Sequence, residues 1–241
     1  PQHPLFMPDL GVSADALRIC RTGETLLGTA AFTDKLINVE LLEPRDINKI
    51  RRAAAEFRKL YNSQAYDDIF AKIQEDQGSS ARKRAKYYLE LCNKWSCRIG
   101  GSVRGEALKA VAKAEGLVGK IDKSLEQIER PDYALIIKPV ELLLEVKGLG
   151  ITSSSKILAL AKPELYVMID QAICYELGFA NNGIGYFHYL LLMRDVARRI
   201  RELADEAGIG DLEEYLRPGD KEWEAPLAIY LDEWNWMNIT Y

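Results

Sequence analysis

The chain has 241 residues, 48% of them hydrophobic and 28% charged, and a mean hydropathy of −0.18. That balance excludes disordered, collagen-like and low-complexity classes and allows a sizeable core without a disulfide or metal staple. The formal charge of −4 and a pI near 5.5 argue, taken whole, against a polyanionic partner. No apolar run approaches the roughly 18 residues of a membrane span, and Pro1-Gln2-His3-Pro4 does not open a secretory signal pattern. No membrane partner is therefore expected. The expected compartment is the reducing cytoplasm, or the nucleus in a eukaryote, and the protein is not expected to be secreted.

In chain order, the first forty or so residues alternate in a strand-like way, at Leu17 to Cys20, Thr25 to Phe32 and Ile37 to Leu42, with Gly23 and Gly28 between. A small β element is expected there, as a strand-bearing segment over 1–42. From Asp46 the period becomes helical: Ile47, Ile50, Ala54, Phe57 and Leu60 mark one face, and Tyr66, Ile69, Phe70 and Ile73 the next. A third helix carries Ala85, Tyr88, Leu89 and Cys92 and is expected to stop at Gly100-Gly101. A fourth, around Leu108, Val111 and Ala112, is expected to end near Gly116 to Gly119. The longest amphipathic stretch runs from Gly185 to Ala207, and a last helix holds Trp223, Leu227, Tyr230, Leu231 and Trp234. With no repeat of solenoid length, the expected fold is mostly α, with a helical unit over 43–241.

The four cysteines are Cys20, Cys92, Cys97 and Cys174, and the two histidines His3 and His188. Only Cys92 and Cys97 lie close together, so no zinc or iron-sulfur spacing can be assembled and the cysteines read as small buried hydrophobes. Charge is uneven. Ala81 to Lys123 holds eleven basic and four acidic residues, a net of +7, whereas Glu202 to Trp234 is at −9. The average of −4 thus hides a segment basic enough to meet a phosphate backbone, although solvated helix faces are the commoner meaning of such runs.

The most informative stretch is Pro139 to Leu158. An apolar helix begun by Pro139 runs into Gly148-Leu149-Gly150, and a second helix opens on Thr152 and Ser153. Two glycines allow a tight turn, Leu149 can plug back between the helices, and the amides that open the second helix suit a phosphate oxygen. An ordinary αα-hairpin would read similarly. After the second helix come Lys162-Pro163-Glu164-Leu165-Tyr166-Val167-Met168-Ile169-Asp170 and a further helix from Gln171 to Leu177.

Residues Pro139 to Gly178 resemble the helix-hairpin-helix-GPD superfamily of base-excision DNA glycosylases, with the hairpin at 139–160. Leu231-Asp232-Glu233-Trp234-Asn235-Trp236 is similar to the end of some relatives. The resemblance implies a two-lobed, glycosylase-like helical fold and a backbone clamp made of Lys147, Gly148, Leu149, Gly150, Thr152 and Ser153, with Ser154 as the small residue that lets the helices pack closely. It also implies a K+ or Na+ ion on the carbonyls of Leu144, Val146 and Leu149. No other cofactor is required. Family members that cleave DNA through a Schiff base carry a lysine where this chain has Thr152, and Asp170, eighteen residues on, falls where the family places its aspartate.

The chemistry agrees with that placement. As an N-glycosidic bond breaks, positive charge grows on the sugar, and a carboxylate such as Asp170 stabilises it and orients water. Asp at a helix start is also a common N-cap. Threonine forms no Schiff base, so hydrolysis without strand cleavage is expected. Lys156, one turn after Thr152, is a second candidate amine, although a solvated helix lysine is the commoner case. The expected partner is double-stranded DNA carrying a damaged or modified base, met by a monomer. Trp234, Trp236 and Tyr166 are candidates for a base pocket, with Trp95, Tyr186, Phe187 and His188 behind them. Arg82, Lys83, Arg84, Arg98 and Arg104 would form a basic DNA-facing patch if they share the hairpin's side. Two alternatives stay open: a helix-hairpin-helix DNA-binding protein without activity, and a helical interaction module.

Overall fold

The computed structural model describes residues 38–60, 71–73, 75, 76, 78–95, 97, 99, 104–218 and 225–241. Among these, every regular element is a helix. The strand pattern expected over 1–37 and the basic residue Arg98 lie outside the described residues. Where the pattern was expected to continue, Val39–Leu41 instead forms a 3-10 turn. The Asn38 side chain accepts the Glu40 amide at 3.1 Å and curls the chain toward the helix beyond it. Among the described residues, no helix is long and apolar enough to cross a membrane.

Helix α1 (Pro44–Leu60) starts at a proline, and Asp46 in its first turn accepts the Glu43 amide at 2.8 Å. It buries Ile47, Ile50, Ala53 and Ala54, while Leu60, expected on that face, is exposed. Helix α2 (Ala81–Lys94) buries the expected stripe of Ala85, Tyr88, Leu89 and Cys92 but ends at Lys94, ahead of the glycines expected to stop it. Helix α3 (Arg104–Val118) buries Ala107, Ala110, Val111, Ala114 and Val118, and Leu108 and Ala112 are only half-buried. Helix α4 (Tyr133–Leu144) starts six residues before Pro139, which sits inside it. A proline there removes the amide that would meet the Leu135 carbonyl, a cost eased by the exposure of Leu135.

Next come α5 (Ile151–Ala161), α6 (Gln171–Glu176), α7 (Gly183–Glu206), α8 (Leu212–Leu216) and α9 (Leu227–Asn235), with a π turn over Trp236–Thr240. Helices α2, α3, α4 and α5 pack on one another. A second group joins the two ends of the described chain, with α1 against α7, α8 and α9. Arg58 of α1 and Glu233 of α9 meet at 3.0 Å with both side chains under a tenth exposed, so this junction holds a buried ion pair. The α4–α7 contact links the groups.

The start of α7 is tied to the chain before it in two ways. Asn182 caps it by accepting the Gly185 amide, and a Cβ on Gly185 would stand 1.9 Å from the Ala180 carbonyl oxygen, so only glycine fits. Further along, Tyr186 and Tyr189 are fully buried and donate to the carbonyls of Val167 and Met168 at 2.9 and 3.0 Å. They satisfy two carbonyls of a buried segment, Leu165 to Ile169, that has no helix or sheet of its own to satisfy it.

Candidate functional site

The turn between α4 and α5 is closed by the Leu149 amide on the Val146 carbonyl at 3.0 Å. Gly148 has φ of 91°, the left-handed region, so glycine is required there. Gly150 differs: it is the N-cap of α5 in ordinary extended geometry, and a Cβ would meet nothing within 4 Å. Its bareness has another effect, because no side chain accepts from the first amides of α5. Val146, Leu149 and Ile151 are buried beneath the turn, and Lys147, Gly148 and Gly150 face outward. Thr152 is half-buried and Ser153 buried, its hydroxyl on the Gly150 carbonyl at 3.0 Å. Ser154 is fully buried, as a residue at a close helix contact should be. Of the carbonyls at Leu144, Val146 and Leu149, that of Val146 already accepts one hydrogen bond, which leaves one lone pair for a cation.

Ser155 connects the hairpin to the aspartate. Its hydroxyl accepts the Ile169 amide at 3.1 Å and lies 3.2 Å from the Ile169 carbonyl, directly before Asp170. Asp170 is the N-cap of α6: one carboxylate oxygen accepts the Ile173 amide at 2.8 Å, and the other accepts the Thr240 hydroxyl at 2.8 Å. The side chain is half-buried and both oxygens are held. A carboxylate fixed in this way, with solvent still in reach, is suited to electrostatic stabilisation of a nearby cation.

Two further groups are tied electrostatically to this site. Lys156 is not a solvated helix lysine: it is half-buried, with Nζ 3.4 Å from the Trp95 carbonyl and 5.6 Å from the centre of the Trp95 ring. Asp232 of α9 is buried, and burial, with the charges of Glu233 and Asp170, pushes its carboxyl well above the ordinary range while Lys156 opposes the shift. Asp232 thus feels the charges of Asp170 and Lys156, which come from two other elements. Sequence reasoning missed Asp232, Thr240 and Ser155. Asp232 was within sight in the Asp-Glu-Trp end, but Thr240 and Ser155 carry no signal of their own, since their importance comes from a contact far along the chain.

The other candidates fall elsewhere. Tyr166 is fully buried, its hydroxyl on the Ile136 carbonyl at 3.0 Å, so it belongs to the core and lines no base pocket. Tyr186 and Phe187 are likewise buried. Trp234 is half-buried, and Trp236 packs edge-on against Phe57 at 5.4 Å and beside Tyr241 at 5.6 Å. The basic run is not a hairpin-side patch. Cys92 lies beside Ser153 in the first turn of α5, whereas Arg84 lines a cavity of about 460 Å³ with Leu160 and Ala161 at the other end of that helix. Helices α2 and α5 are therefore antiparallel, and Arg82 to Arg84 sit about 12–15 Å along α2 from Cys92, the residue at the hairpin end, at 1.5 Å per residue. There Lys83 pairs with Asp76 and Arg84 with Glu115. Arg104 is exposed at the start of α3, whose other end meets Arg84, so it stands at the hairpin end.

Compared with family models, curated proteins and solved structures, the chain matches none.

Proposed function

We propose that this chain is a two-lobed helix-hairpin-helix DNA glycosylase that extrudes a damaged or modified base from duplex DNA and hydrolyses its N-glycosidic bond. The observation that carries the reading is the physical link from hairpin to carboxylate: Ser155, in the second turn of the hairpin's second helix, is hydrogen-bonded to the residue preceding Asp170. Binding at the hairpin and chemistry at the aspartate then share one rigid frame.

In this reading the uncapped amides of α5 and Lys147 take a phosphate, with Arg104 adding charge at the same end. A K+ or Na+ ion on the carbonyls of Leu144, Val146 and Leu149 would extend that grip. Asp170, locked by Ile173 and Thr240, stabilises the sugar cation as the base departs and orients the attacking water. Thr152 supplies no amine, so the product is an abasic site. The test incubates the full chain with duplexes bearing oxidised, alkylated and deaminated bases, then reveals abasic sites with alkali. Activity that disappears in Asp170→Asn supports the proposal. Salt-dependent duplex binding without release of any base points to the inactive DNA-binding alternative, and absence of binding at low salt to the interaction module.

One observation favours a variant of the chemistry. Lys156 is half-buried and its charge acts on buried Asp232, as does that of Asp170, so in this reading its amine would reach the same sugar. Borohydride trapping of a protein–DNA adduct that vanishes in Lys156→Ala would assign the lysine as nucleophile, and no trapped adduct would assign simple hydrolysis.

A further inference from the structure

Cys92 lies in the last turn of α2, and Cys97 two residues past its C-cap, Trp95. The Cys97 amide donates to the Cys92 carbonyl at 3.0 Å. A bond of this kind, from a sixth residue back to the first, is one of the two that close a Schellman helix end, where the side chains of the first and last residues meet. Usually these are apolar; here both are thiols. A disulfide spans α-carbons roughly 4.4–6.8 Å apart, a reach that suits two residues whose backbones are joined by a hydrogen bond.

The pair is asymmetric. Cys92 is buried, its sulfur 4.0 Å from the Ser153 carbonyl in the first turn of α5. Cys97 is half-buried, its sulfur 4.0 Å from the Trp95 carbonyl that Lys156 also approaches. The more open sulfur and an ammonium group therefore share the Trp95 carbonyl, and the closed sulfur faces the first turn of α5. We propose that Cys92 and Cys97 form a peroxide-sensitive dithiol that closes into an intramolecular disulfide at the root of the hairpin helix. The chemistry stands whether or not the chain acts on DNA.

The Cys97 thiolate attacks one oxygen of hydrogen peroxide; the O–O bond breaks, and the departing hydroxide takes a proton to become water, leaving a sulfenic acid. The Cys92 sulfur then attacks the Cys97 sulfur, the S–S bond forms, the S–O bond breaks, and the hydroxyl leaves as a second water with the Cys92 proton. Two thiols are oxidised and one peroxide is reduced. The electrostatics suit these roles: hydrogen bonding from Cys92, with the Lys156 charge, lowers the Cys97 thiol to about 7 against the opposing effect of burial. Cys92, as donor and buried, is pushed well up. Cys174, the other described cysteine, is pushed up by burial to about 12 and is the slow internal reference.

At pH 7 a thiol with a pKa of about 7 is half ionised, against about 1% at 9, and the accompanying fall in nucleophilicity leaves a net advantage of roughly sixfold. The test treats the reduced full chain with one equivalent of hydrogen peroxide at pH 7, alkylates with iodoacetamide and maps peptides without reduction. The expected result is a Cys92–Cys97 crosslink that dithiothreitol reverses, forming about sixfold faster than in the same protein unfolded in urea. In Cys92→Ser, Cys97 should stop at a sulfenic acid that dimedone labels; if that variant does not fold, the wild-type map alone decides. Accumulation of Cys97 sulfinic acid beside an alkylatable Cys92, or closure no faster than in urea, would overturn the proposal.

Discussion

Asp170 has two roles that a pair of substitutions separates. Its carboxylate caps α6 through the Ile173 amide and anchors the C-terminal turn through Thr240. Asp170→Ala removes both bonds. A lost N-cap costs about 1 kcal/mol and a hydrogen bond to a charged group about 1.5–3 kcal/mol, the lower end applying at a half-exposed site. The expected loss is about 2–3 kcal/mol in all, or roughly 4–12 °C in Tm for a chain of this size. Asp170→Asn keeps an oxygen for the Ile173 amide, where Asn caps as well as Asp, and retains a neutral contact with Thr240. It also relieves the repulsion between Asp170 and buried Asp232, so its cost should stay below about 1 kcal/mol. Urea unfolding of both variants, together with base release from the duplex panel, measures the two roles side by side. If the two roles are separable, the Asn variant is nearly as stable as the parent and binds duplex but releases no base. Equal destabilisation of Asn and Ala, or full activity in Asn, refutes that separation.

Three other outcomes rest on the same network of contacts. Gly185→Ala drives a Cβ into the Ala180 carbonyl, so a loss of about 3 kcal/mol or more is expected in urea unfolding, and a loss under about 1 kcal/mol would mean that the α7 entrance is free to move. Arg58→Met takes the guanidinium from buried Glu233 in the interface between α1 and α9 and should cost about 3–5 kcal/mol, whereas Arg58→Met with Glu233→Leu should recover most of it; a double-mutant cycle with no coupling would contradict the buried pair. Asp232 binds its proton more tightly folded than unfolded, so its contribution to stability is present below about 3.8, the unfolded value, and falls away as pH rises to the raised folded value. Asp232→Asn should therefore be more stable than wild type at pH 7 and match it at pH 3.5, and parallel stability curves across that range would argue against the buried carboxyl.

The helix stripes were legible because burial acts on periodicity: Ala85, Tyr88, Leu89 and Cys92 all lie inside α2. Boundaries were less legible where glycine and proline were read as punctuation. The chain left α2 at Lys94, with the Cys97 amide returning to the Cys92 carbonyl, and Pro139 was absorbed inside α4 because the carbonyl it leaves bare sits at an exposed residue. Local chemistry placed the hairpin turn and the Asp170 cap, both of which depend on neighbours in sequence. Charge runs failed to place the basic patch, since they record composition and not which end of a helix meets which. Tyr166 was misplaced for a related reason: an aromatic residue in an extended segment reads the same whether its hydroxyl meets water or the Ile136 carbonyl.

The hydrogen bond between Thr240 and Asp170 spans seventy positions of sequence. A ribosome makes residue 170 well before residue 240, and domains begin to fold during synthesis. The hairpin, the Ser155 link and the α6 cap can all form while the last helix is still unmade, but the second carboxylate oxygen stays free until the final turn docks. The hairpin turn is thus complete before the carboxylate is fixed, and the Thr240 bond reports that α9 and the turn after it have docked.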